Sequence, residues 1–304
     1  MTGDRAPPRP PVRVQGQDDG GVHAASGRLT LLYFALTFLI SWAGAMTVVG
    51  IGHGTIPVTP EQLDPLLPYL GVAMLAGPVI AGPLLIGLVD GRAGLRELRS
   101  RLLSWRVGLR WYAVALLAAP LAVTATLLAL SLISADFLPE LFTADAKLAL
   151  VLAGVAVGLV FGLEELGWTG FAVPRLRLRY DVLTVGLIVG VLWAAWHVPV
   201  TLAGSGTPSG SLSLAIWLPP MFFYAAVLPA FRVLMVWVYD RTGSLLVAIL
   251  MHASLTASTV VILTPQATGT SLIAYYLALT TLLWALVGVV TAANRHQFRQ
   301  PCSM

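Results

Sequence analysis

Long apolar stretches with almost no charged side chains constrain this 304-residue chain more than any other feature of its sequence. A transmembrane helix needs about 20 consecutive apolar residues. Stretches near that length lie at residues 30–50, 66–89, 111–133, 148–173, 183–203, 214–238, 244–263 and 272–293. Charged residues make up 11% of the chain, against about 25% in a soluble domain. The sequence therefore predicts an all-α integral membrane protein with about eight transmembrane helices.

The two ends of the chain differ from this apolar middle. Residues 1–27 are rich in Pro, Gly, Arg and Asp and contain no apolar segment of signal-peptide length, which predicts a disordered tail. Residues 28–294 form a single polytopic domain without a visible internal repeat, and residues 295–304 form a second short tail. The sole cysteine, Cys302, lies in that second tail, so no intramolecular disulfide and no thiol chemistry inside the membrane is expected.

The positive charges predict the orientation of the chain. Every Lys or Arg except Lys147 lies in a terminal tail, in alternate connections or near the membrane edges of those connections, which places both termini in the cytosol. The connection between the second and third spans is amphipathic and rich in arginine, from Arg92 to Arg110. We interpret it as an interfacial helix that controls topology, with binding to anionic lipid or a partner as the alternative. The positive charges therefore orient the protein in the membrane, and no nucleic-acid partner is expected despite the net charge of +4.

Four acidic or histidine side chains lie well inside the predicted spans: Glu164, Glu165, His197 and His252. An ionisable group at the bilayer centre costs about 2.5–3.5 kcal/mol, so these groups are expected to face one another. Arg232 also lies in a span, but near its cytosolic end, from which its side chain is expected to snorkel to the interface.

Spacing along each helix refines this cluster. Trp193 and His197 share one helix face, and His252 shares a face with Thr256. Glu164 and its neighbour Glu165 diverge by about 100° on a helix, so only one of them points at the histidines. Trp168 and Trp193 are possible substrate contacts, although packing is the commoner role of such residues.

A buried carboxyl group and a histidine can together hold and deprotonate a water molecule. A second histidine with a hydroxyl group on the same face can donate hydrogen bonds to the oxyanion formed when that water attacks an amide. The sequence has no His-Glu-x-x-His helix, no Gly-x-Ser-Gly element within a span and no pair of intramembrane aspartates. No cofactor is expected, although a glutamate with two histidines leaves zinc open. A non-catalytic scaffold, a self-immunity or regulatory protein, and a proton-coupled transporter remain alternatives.

Several motifs in the second half of the chain recur together in one known family. They are Glu164-Glu165-Leu166-Gly167-Trp168-Thr169-Gly170-Phe171, Pro174-Arg175-Leu176, Leu192-Trp193-Ala194-Ala195-Trp196-His197-Val198-Pro199, Tyr239-Asp240-Arg241-Thr242-Gly243-Ser244-Leu245-Leu246 and His252-Ala253-Ser254. The set resembles the CPBP family, the CAAX-protease and bacteriocin-processing group that includes type II CAAX prenyl endopeptidases. The motif-bearing core runs from about residue 148 to residue 263.

The resemblance implies an intramembrane glutamic endopeptidase. It assigns water activation to Glu164 and His197, and oxyanion binding to His252 with the residue four positions later, Thr256. Two positions depart from the usual pattern: Thr256 replaces an asparagine, and Thr169 replaces the arginine of the first motif. Glu165 is therefore expected to be neutral, linked to water or paired with a residue such as Arg175.

The expected partners are a peptide or membrane-protein substrate, entering from the bilayer or the cytosolic side, and the lipid bilayer itself. The plasma membrane is the expected location. The preference for arginine over a single lysine is typical of a GC-rich bacterial genome. The substrate, the importance of prenylation, the metal dependence and the oligomeric state are not encoded in any motif of the sequence.

Overall fold

The fold is a bundle of membrane-length helices. A computed structural model describes residues 19–52, 56–295 and 298. Within these ranges, eight helices are long and apolar enough to cross a membrane, and no β-strand is present. We number the helices α1 (Asp19–Gly52), α2 (Pro60–Val89), α3 (Gly91–Leu102), α4 (Leu109–Ser131), α5 (Lys147–Arg177), α6 (Val182–Ala203), α7 (Leu214–Thr242), α8 (Leu245–Ile262) and α9 (Gly269–Ala293). All of them except α3 have membrane-spanning length, and in α1 the membrane-length segment is Ser26–Ile51.

The predicted all-α membrane fold with eight spans is confirmed. Among the membrane-length segments, the largest difference is at the start of α2, which begins at Pro60, whereas the apolar pattern predicted residue 66. The Gly-Pro pairs at Gly77 and Gly82 lie within an unbroken α2, as expected. Of the predicted N-terminal tail, residues 19–27 are helical; residues 1–18 lie outside the described residues, as do Cys302 and most of the C-terminal tail.

The arginine-rich connection forms the short helix α3, in agreement with the predicted amphipathic helix. Leu98 is its buried residue. Arg101 Nη1 donates to the hydroxyl group of Tyr239 at 2.9 Å, which ties this helix to the end of α7. Beyond α3, the backbone carbonyl of Ser104 accepts a hydrogen bond of 2.6 Å from the hydroxyl group of Ser244. The connection is therefore anchored to the ends of two helices that carry site residues.

Glycines set the separation of the helices that build the site. A Cβ atom at Gly158 in α5 would overlap the carbonyl oxygen of Ala253 in α8. A Cβ atom at Gly190 in α6 would lie 2.6 Å from the Cα atom of Pro229 in α7. Small residues of this kind let transmembrane helices approach closely, because lipid tails supply no hydrophobic force between them. The glycines thus bring α5 onto α8 and α6 onto α7.

Candidate active site

The two proposed water-activating residues lie at interruptions of their helices. In α5, the regular helix Lys147–Gly162 ends just before Glu164, and a wide π-helical turn, Trp168–Ala172, follows a short helical segment. In α6, the helix Val182–Trp196 ends at His197 and restarts at Val198, next to Pro199, which has no backbone N–H. Such irregular turns re-aim side chains and are frequent at functional sites.

The helices α7 and α8 also carry site residues on or beside π-helical segments. His252 and Thr256 lie on the last turns of the segment Leu245–Thr256, which continues as the π-helical segment Ala257–Ile262. A third π-helical segment, Phe223–Val227 in α7, supplies Tyr224. Each of the helices α5, α7 and α8 therefore departs from regular geometry near the cluster.

These residues meet at one cavity of about 490 Å³. Glu164, His197 and His252 all line it, as do Trp193 and Thr256. Apart from Thr259, its other walls are apolar and aromatic, and are formed by Leu67, Leu70, Gly71, Met74, Val157, Phe161, Trp196, Val200, Phe223, Tyr224, Leu228, Leu255, Val260 and Val261. This volume lies within the range of about 300–1,000 Å³ that is typical of ligand pockets.

Glu164 is held by two indole groups. Its Oε2 atom accepts hydrogen bonds from Nε1 of Trp168 at 3.1 Å and from Nε1 of Trp193 at 3.0 Å. Both bonds use the same oxygen, so the geometry fixes the carboxyl group and leaves Oε1 for a molecule in the cavity.

His197 is oriented by its own helix and by an aromatic neighbour. Its Nδ1 atom lies 2.8 Å from the backbone carbonyl oxygen of Trp193, four residues earlier. Because that carbonyl can only accept, Nδ1 carries a proton, and in the neutral ring Nε2 carries the lone pair. The ring stacks on Tyr224 with centroids 3.9 Å apart and planes 14° apart. In this tautomer Nε2 of His197 can accept a proton.

Glu165 points away from the cavity and is fully buried. Arg232 forms two hydrogen bonds with it, Nη1 to Oε2 at 2.7 Å and Nη2 to Oε1 at 2.9 Å. The hydroxyl group of Thr169 donates to Oε2, and Nδ1 of His252 lies 2.7 Å from Oε1. As the spacing of the two glutamates predicted, they face different partners, but Glu165 is the one bonded to a histidine.

Two expectations about the arginines are wrong. Arg232 does not snorkel: its side chain has no solvent-exposed surface and is the cationic partner of Glu165. Arg175 pairs instead with Asp90 at the start of α3. Glu165 is thus neither unpaired nor matched with Arg175, because the buried face of α7 brings a guanidinium group to it.

The two tryptophans proposed as substrate contacts occupy different places. Trp193 lies on the cavity wall, whereas Trp168 is completely buried and is not among the residues that line the cavity. The position of Trp168 suits a donor to Glu164, with a T-shaped contact to Trp196 at 5.9 Å between ring centroids. Of these two tryptophans, only Trp193 is placed to touch a ligand in the cavity.

In the part of the chain that the structure describes, no group of three His, Cys, Asp or Glu side chains is arranged to hold a metal ion. The other buried carboxyl group, that of Glu165, is bonded through its two oxygens to Arg232 and His252. The expectation of no cofactor, with zinc left open, therefore stays a prediction that needs a chelation experiment.

Arg232 and Tyr224 are site residues that the sequence reasoning missed. For Arg232 a signal existed, because an arginine inside an apolar span is by default functional. Tyr224 gave no comparable signal: it is one aromatic residue in an apolar span, and its contact with His197 depends on a π-helical turn.

The fold and this polar cluster define a class of protein, namely multi-pass membrane proteins with a glutamate–histidine site inside the helical bundle. Residues 145–258, which contain every candidate site residue, match the family model described as type II CAAX prenyl endopeptidase Rce1-like. A protein named CAAX prenyl protease 2 from Methanococcus maripaludis is 28% identical over 120 residues. These matches support the CPBP family assignment that the motifs suggested, over the region that they cover.

The similarity covers only part of each protein. The aligned residues make up 39% of this chain and 39% of the archaeal relative. The chain thus spans well under half the length of the curated relative it matches, and the activity and substrates of that relative are not transferred by the match.

Proposed function

We propose that this protein is an intramembrane endopeptidase in which Glu164 and His197 activate a water molecule for attack on a peptide bond. One observation carries the proposal: both side chains face the same cavity, and hydrogen bonds to one polar atom of each side chain fix its orientation. Glu164 is fixed through Oε2, and His197 through Nδ1. These bonds leave Oε1 and Nε2 unused, and in the proposed site both accept from one bound water, as general-base catalysis requires.

In the proposed reaction, the water oxygen attacks the carbonyl carbon while its proton passes to the Glu164–His197 pair. The carbon–oxygen double bond opens to a tetrahedral oxyanion. When the intermediate collapses, the carbon–nitrogen bond breaks, and the proton held by the pair passes to the leaving amine. The products are a carboxylic acid and an amine, which become a carboxylate and an ammonium group when the acid proton passes to the amine; no oxidant, reductant or metal takes part in the proposed steps.

We assign oxyanion binding to His252 and Thr256. Nδ1 of His252 lies 2.7 Å from Oε1 of Glu165, and the ring lines the cavity, where we propose that its Nε2–H donates to the oxyanion. Thr256 lies one turn further along α8 and lines the same cavity. Removing a single oxyanion donor in other enzymes costs about 2.7–4 kcal/mol. A threonine in place of the family's asparagine is therefore expected to slow turnover without abolishing it.

The proposed substrate is an extended peptide segment with apolar side chains. The cavity walls are almost wholly apolar and aromatic apart from the site residues, so a polar peptide would lose its hydration without compensation. Because the archaeal relative is named a CAAX prenyl protease, a prenylated peptide is one candidate within this class.

The position of the cavity suggests where the substrate enters. Apart from His252, which lies just before the middle of α8, the cavity-lining residues of α6 and α8 lie in the second halves of these helices; those of α2 and α7 lie in the first halves or at the middle. These parts of α2, α6, α7 and α8 lie towards the end of the bundle that carries the acidic connections around Asp136 and Glu140. With both termini in the cytosol, as the arginines predict, this is the outer side. We propose entry from that side of the plasma membrane, and not from the cytosol.

The test is co-expression of the chain with a library of membrane-anchored peptides, followed by mass spectrometry of new peptide ends. A farnesylated CAAX peptide forms a separate arm, and a chelator arm tests the need for a metal. Glu164→Gln and His197→Ala should each abolish products while the protein remains inserted and monodisperse in detergent.

Equal products from wild type and both variants would refute the assignment. A biological phenotype that survives Glu164→Gln would favour a non-catalytic scaffold or regulatory protein. Substrate flux into proteoliposomes without cleavage would favour a transporter.

A further inference from the structure

Arg232 is a buried cation in the middle of an apolar helix. It lies in α7, ten residues before the end of that helix at Thr242, and its side chain has no exposed surface. Its guanidinium group binds both oxygens of Glu165, a residue of α5. A charge at this depth is costly unless it is paired and hydrogen-bonded, so its position indicates a specific task.

The guanidinium group of Arg232 contacts two residues, each of which is hydrogen-bonded to a different side chain of the cavity. Through Glu165 it reaches His252, because Oε1 accepts hydrogen bonds from both residues. Its other contact is with Trp193: the carbon atom at the centre of the guanidinium group lies 4.2 Å from the centroid of that ring. Trp193 in turn donates to Glu164. Arg232 therefore contacts both Glu165, which is bonded to His252, and Trp193, which is bonded to Glu164.

We infer that Arg232 is a positioning residue of this site, holding Glu165 as the acceptor that orients His252 and holding Trp193 as the donor that orients Glu164. The inference rests on the proposed function and deepens it. Arginine suits this task and lysine does not, because a planar guanidinium group can bind both carboxylate oxygens and stack on an indole ring at the same time.

The geometry also accounts for the threonine at position 169 in the first motif. Thr169 lies four residues after Glu165, on the same helix face, and its hydroxyl group donates to Glu165 Oε2. The oxygen that an arginine at this position would reach is already bound by Arg232. The cation is supplied by α7, and the residue in α5 needs to be only a small hydrogen-bond donor.

A first experiment tests the pairing without any substrate. The midpoint of thermal unfolding in detergent is measured for Arg232→Met, Glu165→Gln and the double variant. Each single change leaves one buried charge without its partner, so each should lower the midpoint by at least about 5 °C, and the double variant should recover a large part of the combined loss. Arg241→Met is the matched control on the same helix, where the arginine is exposed and bonded to Asn294. Additive losses would overturn the pairing.

A second experiment tests positioning by moving the cation. Arg232→Met should lower kcat at least about 100-fold with little change in KM, and Arg232→Lys at least about 10-fold. Combining Arg232→Met with Thr169→Arg returns a guanidinium group to Glu165 from α5 and should restore at least about 10-fold of the lost rate. Arg241→Met should retain wild-type kinetics.

The two experiments separate the possible failures. If folded Arg232→Met cleaves at the wild-type rate, or if Thr169→Arg gives no rescue while the double variant folds, positioning by Arg232 is refuted and the proposed function stands. If the wild-type protein yields no product in any arm, the proposed function fails, and the catalytic part of the inference fails with it. In that case non-additive thermal midpoints would still establish the pairing.

Discussion

Gly190 offers a sharp test of how the helix spacing controls the site. Glycine at this position lets α6, which carries Trp193 and His197, contact α7 closely. In Gly190→Ala, the new Cβ atom would lie 2.6 Å from the Cα atom of Pro229 and 3.2 Å from the Cβ atom of Arg232. The nearer atom belongs to the backbone and cannot rotate away. The two helices must therefore move apart.

The size of this movement follows from the contact distances. Ordinary contacts of a Cβ atom begin at 3.4 Å, so the helices must separate by about 0.8 Å at this point. The stacked pair formed by His197 and Tyr224 spans the same interface, with ring centroids 3.9 Å apart. A displacement of about 1 Å can cost roughly 100-fold in rate. We expect Gly190→Ala to lower the cleavage rate about 10- to 100-fold, with an overpacking strain of about 1–3 kcal/mol.

The assay compares single-turnover cleavage by equal amounts of folded protein, quantified by size-exclusion chromatography. Gly288→Ala in α9 is the matched control, because Gly288 is exposed and a Cβ atom there meets nothing within 4 Å. Replacing glycine by alanine raises the helix propensity by about 1 kcal/mol at either position, so the difference between the two variants reports the effect of packing. A Gly190→Ala rate within about threefold of the Gly288→Ala rate would refute the reasoning.

Three further outcomes are expected. Thr256→Asn should raise the cleavage rate about 10-fold, because an amide group offers two N–H donors to the oxyanion; a slower variant would contradict this assignment. Trp193→Phe keeps a ring over Arg232 but removes a donor to Glu164, so it should lower the rate about 10-fold and the free energy of unfolding by about 1 kcal/mol; an unchanged rate would exclude this support. In a Cys302→Ser background, an impermeant maleimide added to intact cells should label Ser209→Cys but not Ser100→Cys, and the reverse result would invert the orientation and the proposed side of substrate entry.

The sequence predicted the helices well because membrane spans are a local property. A run of uncharged apolar residues near the required length identifies its own span, and all eight spans were found in this way. Contacts between helices are not local. The glycine spacings at Gly154, Gly158 and Gly162, and at Gly186 and Gly190, indicate close-packing faces. They do not indicate which helices those faces meet.

The site was predicted in part for the same reason. Glu164, His197, His252 and Thr256 carry chemistry that is recognisable residue by residue, and the structure brings them to one cavity. The partner of Glu165 could not be read from spacing, because Arg232 is 67 positions away. Its distance from the end of α7 is about 15 Å, which suggested that it could reach the interface. Depth along a helix gives no information about which face a residue occupies, and this face is buried.

The adjacent glutamates provide a final test, because the structure gives them different partners and we propose different tasks for them. Both oxygens of Glu165 are bound by Arg232, and Oε1 also accepts from His252, whereas Glu164 keeps Oε1 towards the cavity. In Glu165→Gln, the buried guanidinium group loses its counter-charge, so we expect a loss of about 3–5 kcal/mol in the free energy of unfolding. Glu164→Gln keeps an acceptor oxygen for Trp168 and Trp193, so it should change stability by less than about 1 kcal/mol while abolishing cleavage. Thermal unfolding in detergent measures both. Equal destabilisation by the two changes would show that the glutamates share one role, and the division between a supporting and a reacting carboxyl group would then be wrong.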